Sequence, residues 1–294
     1  MINNYIDNNC VGILLAGGSG KRMRPLSYGV NKQLLPVYNK PMIFYSLSLL
    51  MLGNIKNIII VSDKKYLSSY KNLLGNGSKF GIKLTYVVQS KPNGIPECFK
   101  LCSKYIKNKR VCLLLGDNFF FGQGIVEAFN RGIKKKTGAY FYAYNVKNPS
   151  AYAVLNIKKN NRFDIAEKPN KPKSNYAIPG LYFFDKNVSK EFSKLRKSSR
   201  GEFEIVDLIN AYKKTKKAFY EILRRGISWL DMGSFDDLIA CGNFIKAIED
   251  RQSLMVGSPE EVAWRNKWIS TTQLKKIAKE YKNYYGKYLE DICR

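Results

Sequence analysis

The chain contains no histidine. A Ser-His-Asp or Cys-His nucleophile, a histidine-bound zinc and imidazole acid-base chemistry are therefore excluded, and any chemistry must run on Asp, Glu, Lys, Arg or a bound metal. The six cysteines, at positions 10, 98, 102, 112, 241 and 293, form no C-x-x-C pair and repeat at no fixed spacing, so neither a zinc cluster nor a disulfide framework is expected. Long hydrophobic runs are also missing: no stretch approaches the roughly 18 consecutive apolar residues of a spanning helix. The opening MINNYIDNNC lacks the basic and apolar regions of a secretory leader. These absences lead to the expectation of a cytoplasmic protein with reduced thiols and no membrane partner. Acidic residues are scarce as well. Twenty-three Asp and Glu against fifty Lys and Arg leave a net charge of +27, which points to an anionic partner, whether a polynucleotide, an anionic membrane or a phosphorylated small molecule.

What is present is the composition of a globular chain: 294 residues, 45% hydrophobic and 25% charged, enough to bury a substantial core. Short apolar runs (VGILLA from Val11 to Ala16, then NIIIVS, KLTYVV, RVCLLL and AYFYAYNV) read as strands, most of them buried on both faces. Helical patterns lie between them, at Met42 to Leu52, Tyr66 to Leu74, Ile95 to Ile106 and Ile125 to Lys135. The rhythm predicts an α/β fold with a Rossmann-like mixed, mostly parallel sheet flanked by helices. From Tyr152 to Phe184 strands follow without helices, broken by AEKPNKPKSNYAIPG, a segment expected as a loop or lid in an inserted β lobe. The end is helical by periodicity, placing Trp264 and Trp268 on one helix face if that helix is continuous. No repeat or linker appears, so the reading is one domain over 1–294. It comprises an α/β core over 1–235, with an insertion at about 150–200, and C-terminal helices over 236–294.

The first strand ends in AGGSGKRMRP, and a Gly-rich turn after a strand presents backbone N–H groups beyond the carboxyl edge of the sheet, suited to a phosphate chain. It is not a P-loop, because Leu15 stands where the first glycine belongs and Arg22 where Ser or Thr belongs. An ordinary flexible turn is the competing interpretation. Lys21, Arg22 and Arg24 in the same turn favour an anion site. Further on, LLLGDN places Asp117 after a buried run and SWLDMG places Asp231 after another. From the residues alone, the first is equally a turn and the second a helix N-cap.

The segment LAGGSGKRMRPLSYGVNKQLLPVYNKPMIFYSL closely resembles the signature of the sugar-1-phosphate nucleotidylyltransferases, and within them the glucose-1-phosphate thymidylyltransferase branch. The resemblance continues in order through QSKPNGIPECF, LLLGDNFFFG, AEKPNKPKSNYAIPGLYFFD, SSRGEFEIVDLINAY and RRGISWLDMGSFDDL, and so spans nearly the whole chain. It implies a Rossmann-like core with a sugar-binding lobe, and transfer of a nucleotidyl group from dTTP (with UTP the alternative) to glucose-1-phosphate, releasing pyrophosphate. It also implies a homo-oligomer, a tetramer, feeding deoxysugar or rhamnose synthesis.

Residue by residue, the resemblance implies that Asp117 and Asp231 hold Mg²⁺, that Arg22 and Lys32 grip the triphosphate, and that Lys168 and Arg200 bind the sugar phosphate. Glu167 would accept from sugar hydroxyls. Gly17, Gly18, Gly20, Gln33 and Asn118 fall on substrate-binding positions, and Gln89 and Gly94 on those that read the pyrimidine edge. Tyr152, Ala153 and Ile178 fall around the sugar. Ile95-Pro96-Glu97-Cys98 replaces the usual Leu-Ala-Gln-Ala, and Gln123 stands where histidine is common in a regulatory site. The implied reaction brings two polyanions together by in-line attack on the α-phosphorus, which calls for cations and a metal instead of a nucleophilic side chain. A nucleic-acid-binding protein is the reading from another class. Against it, the basic residues are spread along the chain and no RNP, KH, zinc-finger or helix-turn-helix signature occurs, so no specific nucleic-acid partner is expected.

Overall fold

A computed structural model describes residues 9–18 and 20–294. The first eight residues, which make up most of the opening MINNYIDNNC in which no leader is expected, and Ser19 of the Gly-rich turn lie outside the described residues.

The apolar runs become neighbouring strands. Cys10–Leu15 lies at the centre, paired in parallel with Asn57–Ser62 on one side and Arg110–Leu115 on the other, and Lys83–Val88 extends the parallel run beyond Asn57–Ser62. Cys10–Leu15, Asn57–Ser62 and Arg110–Leu115 are buried on both faces, whereas the edge strand Lys83–Val88 is largely half-buried, and the period-2 alternation divides the residues of the inner three between two cores. Leu14, Ile58, Ile60, Cys112 and Leu114 face one layer, whereas Val11, Ile13, Ile59, Val61, Val111 and Leu113 face the other. On the first layer sits the helix Met42–Leu52, whose residues from Met42 to Met51 are all buried. An 11-residue helix that is apolar all round requires cover on every side. It receives that cover from the sheet and from the helix Pro259–Arg265.

Beyond Arg110–Leu115 the sheet turns mixed. Leu181–Phe184 runs antiparallel to it and to Ala139–Asn145, and Ala218–Ile222 returns parallel to Ala139–Asn145. Tyr176–Ala177, Ala153–Ile157 and Phe163–Glu167 continue the same sheet by antiparallel pairing. Followed across the ten strands, these pairings leave only Leu181–Phe184, Tyr176–Ala177 and Phe163–Glu167 opposed to the rest. The sheet is therefore mixed and mostly parallel, as the sequence rhythm implies. Strand order reverses at Cys10–Leu15, since the chain moves outward to one side through Asn57–Ser62 and Lys83–Val88 and then returns to the other through Arg110–Leu115. A switch point of this kind opens a crevice at the carboxyl edge.

Three expectations change. The helix read over Ile95 to Ile106 breaks at Cys102 into Glu97–Leu101 and Ser103–Ile106. The segment read as a loop over 166–180 keeps Ala166 and Glu167 in a strand, and Tyr176 and Ala177 in another. Trp264 and Trp268 do not share a helix face, because the helix ends at Arg265 and Lys267 takes a left-handed turn at φ +58°. Trp264 instead donates to Thr271 Oγ1, and Trp268 lies under the Lys56 ammonium.

Candidate active site

Two strands outside the main sheet bring the distant carboxylates together. Asn118–Gly122 and Ile227–Asp231 pair antiparallel, with Asp231 opposite Asn118, and the Met232 N–H donates to the Asp117 carbonyl at 2.9 Å. Asp117 thus leaves the central strand Arg110–Leu115 at the switch point, and the ribbon delivers Asp231 beside it from more than a hundred residues away. Asp231 is not a helix cap. That role belongs to Ser234, whose hydroxyl accepts from the Asp237 N–H at the start of Phe235–Gln252, so the Asp231 carboxyl is left to the site.

The electrostatics of the pair are asymmetric. Lys32 Nζ donates to Asp117 Oδ2 at 2.6 Å. Burial pushes the Asp117 carboxyl up, but the Lys32 charge and hydrogen bond win and hold it below the usual carboxylate range. Among the described residues, Asp231 has no such partner in contact. Burial, then the Asp117 charge, push it up to about 7, against smaller opposing effects of Lys32 and Arg22. Asn118 completes this side: its Nδ2 donates to Asp117 Oδ1, and its Oδ1 accepts from the Gly180 N–H and from Trp229 Nε1. A β-carbon on Gly233 would stand 2.9 Å from Asp231 Oδ2 and 3.0 Å from Arg22 Nη2, so this glycine leaves room for the arginine beside the carboxylate.

A cavity of about 370 Å³ opens here, and many of the expected residues line it: Gly17, Gly18, Arg22, Gln33, Asp117, Asn118, Tyr152, Ala153, Glu167, Lys168, Ile178 and Asp231. Gly20 and Lys32 line an adjoining space of about 260 Å³ with Arg22 and Asp117. The Gly-rich turn leads into a short 3-10 turn, Lys21–Met23, with Gly20 left-handed at its start. It does not enter an α-helix, as a P-loop would. Lys32 sits in a second such turn, Lys32–Leu34, capped by Asn31. Gln33 is buried, and its Oε1 has no hydrogen-bond partner among the described residues.

On the far side, Lys168 follows the strand Phe163–Glu167 at φ +42°, an uncommon conformation for a residue with a β-carbon and one that gathers at functional sites. Its N–H donates to the Tyr152 carbonyl, and the Tyr152 ring meets the Trp229 ring edge-on at 5.1 Å. Arg200 does not line the cavity. It stands exposed at the rim, held by Glu167 at 3.1 Å and by Glu204 at 2.7 Å. Burial raises the Glu167 carboxyl.

Gln89 and Gly94 also lie behind the cavity wall. Gln89 is buried under Gly17, and the turn that follows it is tied to the 198–203 segment, since the Phe203 N–H donates to the Asn93 carbonyl at 2.8 Å. Gly94 has φ +100°, and a β-carbon there would meet the Phe203 carbonyl oxygen at 2.2 Å. Gln123 lies elsewhere, on a larger cavity of about 660 Å³ between the helices Met42–Leu52 and Pro259–Arg265. Sequence reasoning missed Trp229, Gly180 and Gly233. Trp229 and Gly233 flank Asp231 in the SWLDMG block, and that proximity was the available signal.

A mostly parallel sheet whose switch point carries two carboxylates, a buried lysine and a Gly-rich turn defines a phosphate-handling α/β enzyme. The Nucleotidyl transferase family model matches residues 11–248. A glucose-1-phosphate thymidylyltransferase of Neisseria meningitidis is 44% identical over 281 residues, covering 95% of this chain and 97% of that protein. One from Mycolicibacterium smegmatis is 44% identical over 280 residues, with coverage of 95% and 97%. Among solved structures, a Bacillus anthracis chain provisionally named a glucose-1-phosphate thymidylyltransferase, in complex with a sucrose, superposes with TM-score 0.73 at 35% identity, covering 80% of this chain and 94% of that one. The chain belongs to the nucleotidyl transferase family, among the glucose-1-phosphate thymidylyltransferases. It is a nucleotidyltransferase enzyme. Among the described residues, no helix is long and apolar enough to cross a membrane.

Proposed function

We propose that the chain joins a nucleoside triphosphate to glucose-1-phosphate, giving a nucleotide sugar and pyrophosphate, with dTTP the better donor and UTP a poorer one. The observation that carries this reading is the convergence on one cavity of Arg22, Asp117 and Asp231 at the carboxyl edge and Lys168 and Glu167 on the opposite wall. The names of the relatives at 44% identity support the choice of nucleotide and sugar. In the reaction, an oxygen of the sugar phosphate forms a bond to the α-phosphorus. The bond from that phosphorus to the bridging oxygen breaks, and its electron pair leaves with pyrophosphate. Arg22 and Lys32 neutralise the departing end, and Lys168, with Arg200 at the rim, orients the acceptor phosphate. A phosphate monoester dianion is already nucleophilic near neutral pH, so the absence of histidine costs nothing here.

The donor set fits Mg²⁺. Among the described residues no cluster of three or more His, Cys, Asp or Glu side chains could hold a metal ion, but Mg²⁺ uses one or two carboxylates and completes its shell with water and substrate phosphates. Burial of the Asp231 carboxyl beside the Asp117 charge makes this a place that a cation would favour. Asp117 and Asp231 would hold the ion, which supplies charge neutralisation at the α-phosphate when bound. A homo-oligomer, tetrameric by resemblance, and a cytoplasmic location belong to the same proposal. Exposed Tyr38, Phe235 and Ile239 support the former by offering apolar surface. The test is turnover with each nucleoside triphosphate plus glucose-1-phosphate and Mg²⁺, following pyrophosphate. Release with dTTP, weaker release with UTP and none without the sugar phosphate is expected. Release with no acceptor, or none with any triphosphate, would refute the reading.

A further inference from the structure

The net charge of +27 exceeds anything the proposed reaction uses, and a dense part of it collects at the edge of the sheet away from the cavity. The strands Arg110–Leu115, Ala139–Asn145 and Ala218–Ile222 begin at that edge, and Leu181–Phe184 ends there. The segments that lead into or out of these ends, 107–110, 134–138, 213–217 and 185–187, read KNKR, KKKTG, KKTKK and DKN, with ten lysines and a single acid. Hydrogen bonds hold them together. The Ala139 N–H donates to the Lys217 carbonyl at 2.8 Å, the Asp185 N–H donates to the Gly138 carbonyl at 2.9 Å, and Arg110 Nη1 donates to the Lys135 carbonyl at 3.4 Å. The acid, Asp185, is buried and accepts from the Gly138 N–H, the Asn187 N–H and the Tyr212 hydroxyl, so it ties the segments without facing solvent. Lys107, Lys134, Lys136, Lys186, Lys216 and Lys217 are exposed, and among the described residues none of the six ammoniums has a hydrogen-bond or ion-pair partner.

Distance decides what this charge can serve. The strand Arg110–Leu115 separates the edge from Asp117 by roughly 20 Å, more than twice the screening length of about 8 Å at physiological salt, so these lysines do little for substrates in the cavity. We propose that the lysine-bearing edge is a docking surface for an anionic phospholipid bilayer, which would hold the enzyme peripherally with its cavity turned away from the lipid. Lysine ammoniums are compact point charges, suited to a diffuse layer of headgroups. Among the described residues, none of the exposed large apolar side chains falls in the four segments, so nothing there would stack on bases or wedge between them. Arg110, the one arginine in these segments, turns back to the Lys135 carbonyl and offers no fork to a base edge. The contact would be Coulombic throughout. The expectation of no membrane partner rests on the missing leader and spanning run, and a peripheral contact needs neither.

The test is flotation of the full chain with vesicles of phosphatidylcholine alone and of phosphatidylcholine with phosphatidylglycerol, a readout that does not depend on turnover. Wild type should float with the anionic vesicles only, and less as salt is added. A fourfold variant, Lys134→Gln with Lys136→Gln, Lys216→Gln and Lys217→Gln, should partition about a hundredfold or more weaker, since each lysine near an anionic surface is worth about fivefold. A control variant, Lys275→Gln with Lys276→Gln, Lys279→Gln and Lys282→Gln, removes the same charge from exposed positions near the C-terminus and should stay within about threefold of wild type, because attraction fades within a screening length. Both should melt as wild type does. No flotation of wild type, flotation indifferent to salt, or equal losses in the two variants would overturn the proposal, the last by showing that net charge acts without a particular face. Duplex DNA or single-stranded RNA bound more tightly than the anionic vesicles at the same salt would also overturn it and make the edge a polynucleotide surface.

Discussion

Lys32 Nζ lies 2.6 Å from Asp117 Oδ2, and both side chains are largely withdrawn from solvent. The contact assigns the two carboxylates different resting states, since one is neutralised by a neighbour and the other is left facing it. Lys32→Met should strand Asp117 beside Asp231 with no cation in contact. Removing one member of a partly buried pair costs about 3 kcal/mol, so urea unfolding of the ligand-free protein should show a stability loss of that order, together with a large fall in turnover. A variant as stable as wild type would mean that the pair contributes little.

Asp231 yields a pH signature. Its carboxyl is pushed up to about 7 in the folded protein, above the unfolded value of about 3.9. The folded state therefore binds this proton more tightly, and the group costs stability as pH rises between those values, most fully above 7. Asp231→Asn removes the cost. In metal-free buffer the variant should be more stable than wild type at pH 8, with the advantage fading toward pH 4, while its turnover drops by a factor of about a thousand or more. Paired thermal melts across that range check the sign, and an advantage that grows on acidification would contradict it.

Lys168 lines the cavity, and in the proposed reaction it would orient the acceptor phosphate. Lys168→Ala should raise KM for glucose-1-phosphate about tenfold or more and lower kcat, leaving dTTP affinity within about twofold. Selective loss of dTTP binding would place the residue on the wrong substrate.

Gly233 predicts a steric effect. A methyl group there would sit 2.9 Å from Asp231 Oδ2 and 3.0 Å from Arg22 Nη2, inside contact distance, so one of them must shift. Gly233→Ala should lower kcat about tenfold by displacing Arg22, with little change in melting temperature because the guanidinium is the far end of a flexible, exposed side chain. An unaltered kcat would show that Arg22 does not need that position.

The sheet was legible in the sequence because β-branched runs such as NIIIVS and KLTYVV sit between turn signals, and those strands fall at Asn57–Ser62 and Lys83–Val88 as read. The helix Met42–Leu52 was equally plain. Cys102 and Lys267 broke predicted helices through local backbone geometry, which apolar spacing does not encode. For the site, the blocks around Asp117 and Asp231 named residues that do meet. Their meeting depends on the ribbon formed by Asn118–Gly122 and Ile227–Asp231, a pairing across about a hundred residues that no local pattern announces. Arg200 shows the opposite limit, since its neighbours Glu167 and Glu204 hold it at the rim.

The hydrogen bond from Phe203 to Asn93, with Gly94 pressed against the Phe203 carbonyl, stitches the turn after Gln89 to the segment that carries Arg200. In the proposed reaction these two pieces of chain would serve different guests, and they share one seam of backbone. Settling either guest removes freedom from the other's host, so the second arrival finds part of its ordering already done. On that reading the two affinities would be linked, each guest tightening the other by the same factor, and the acceptor should hold more firmly once the nucleotide is seated.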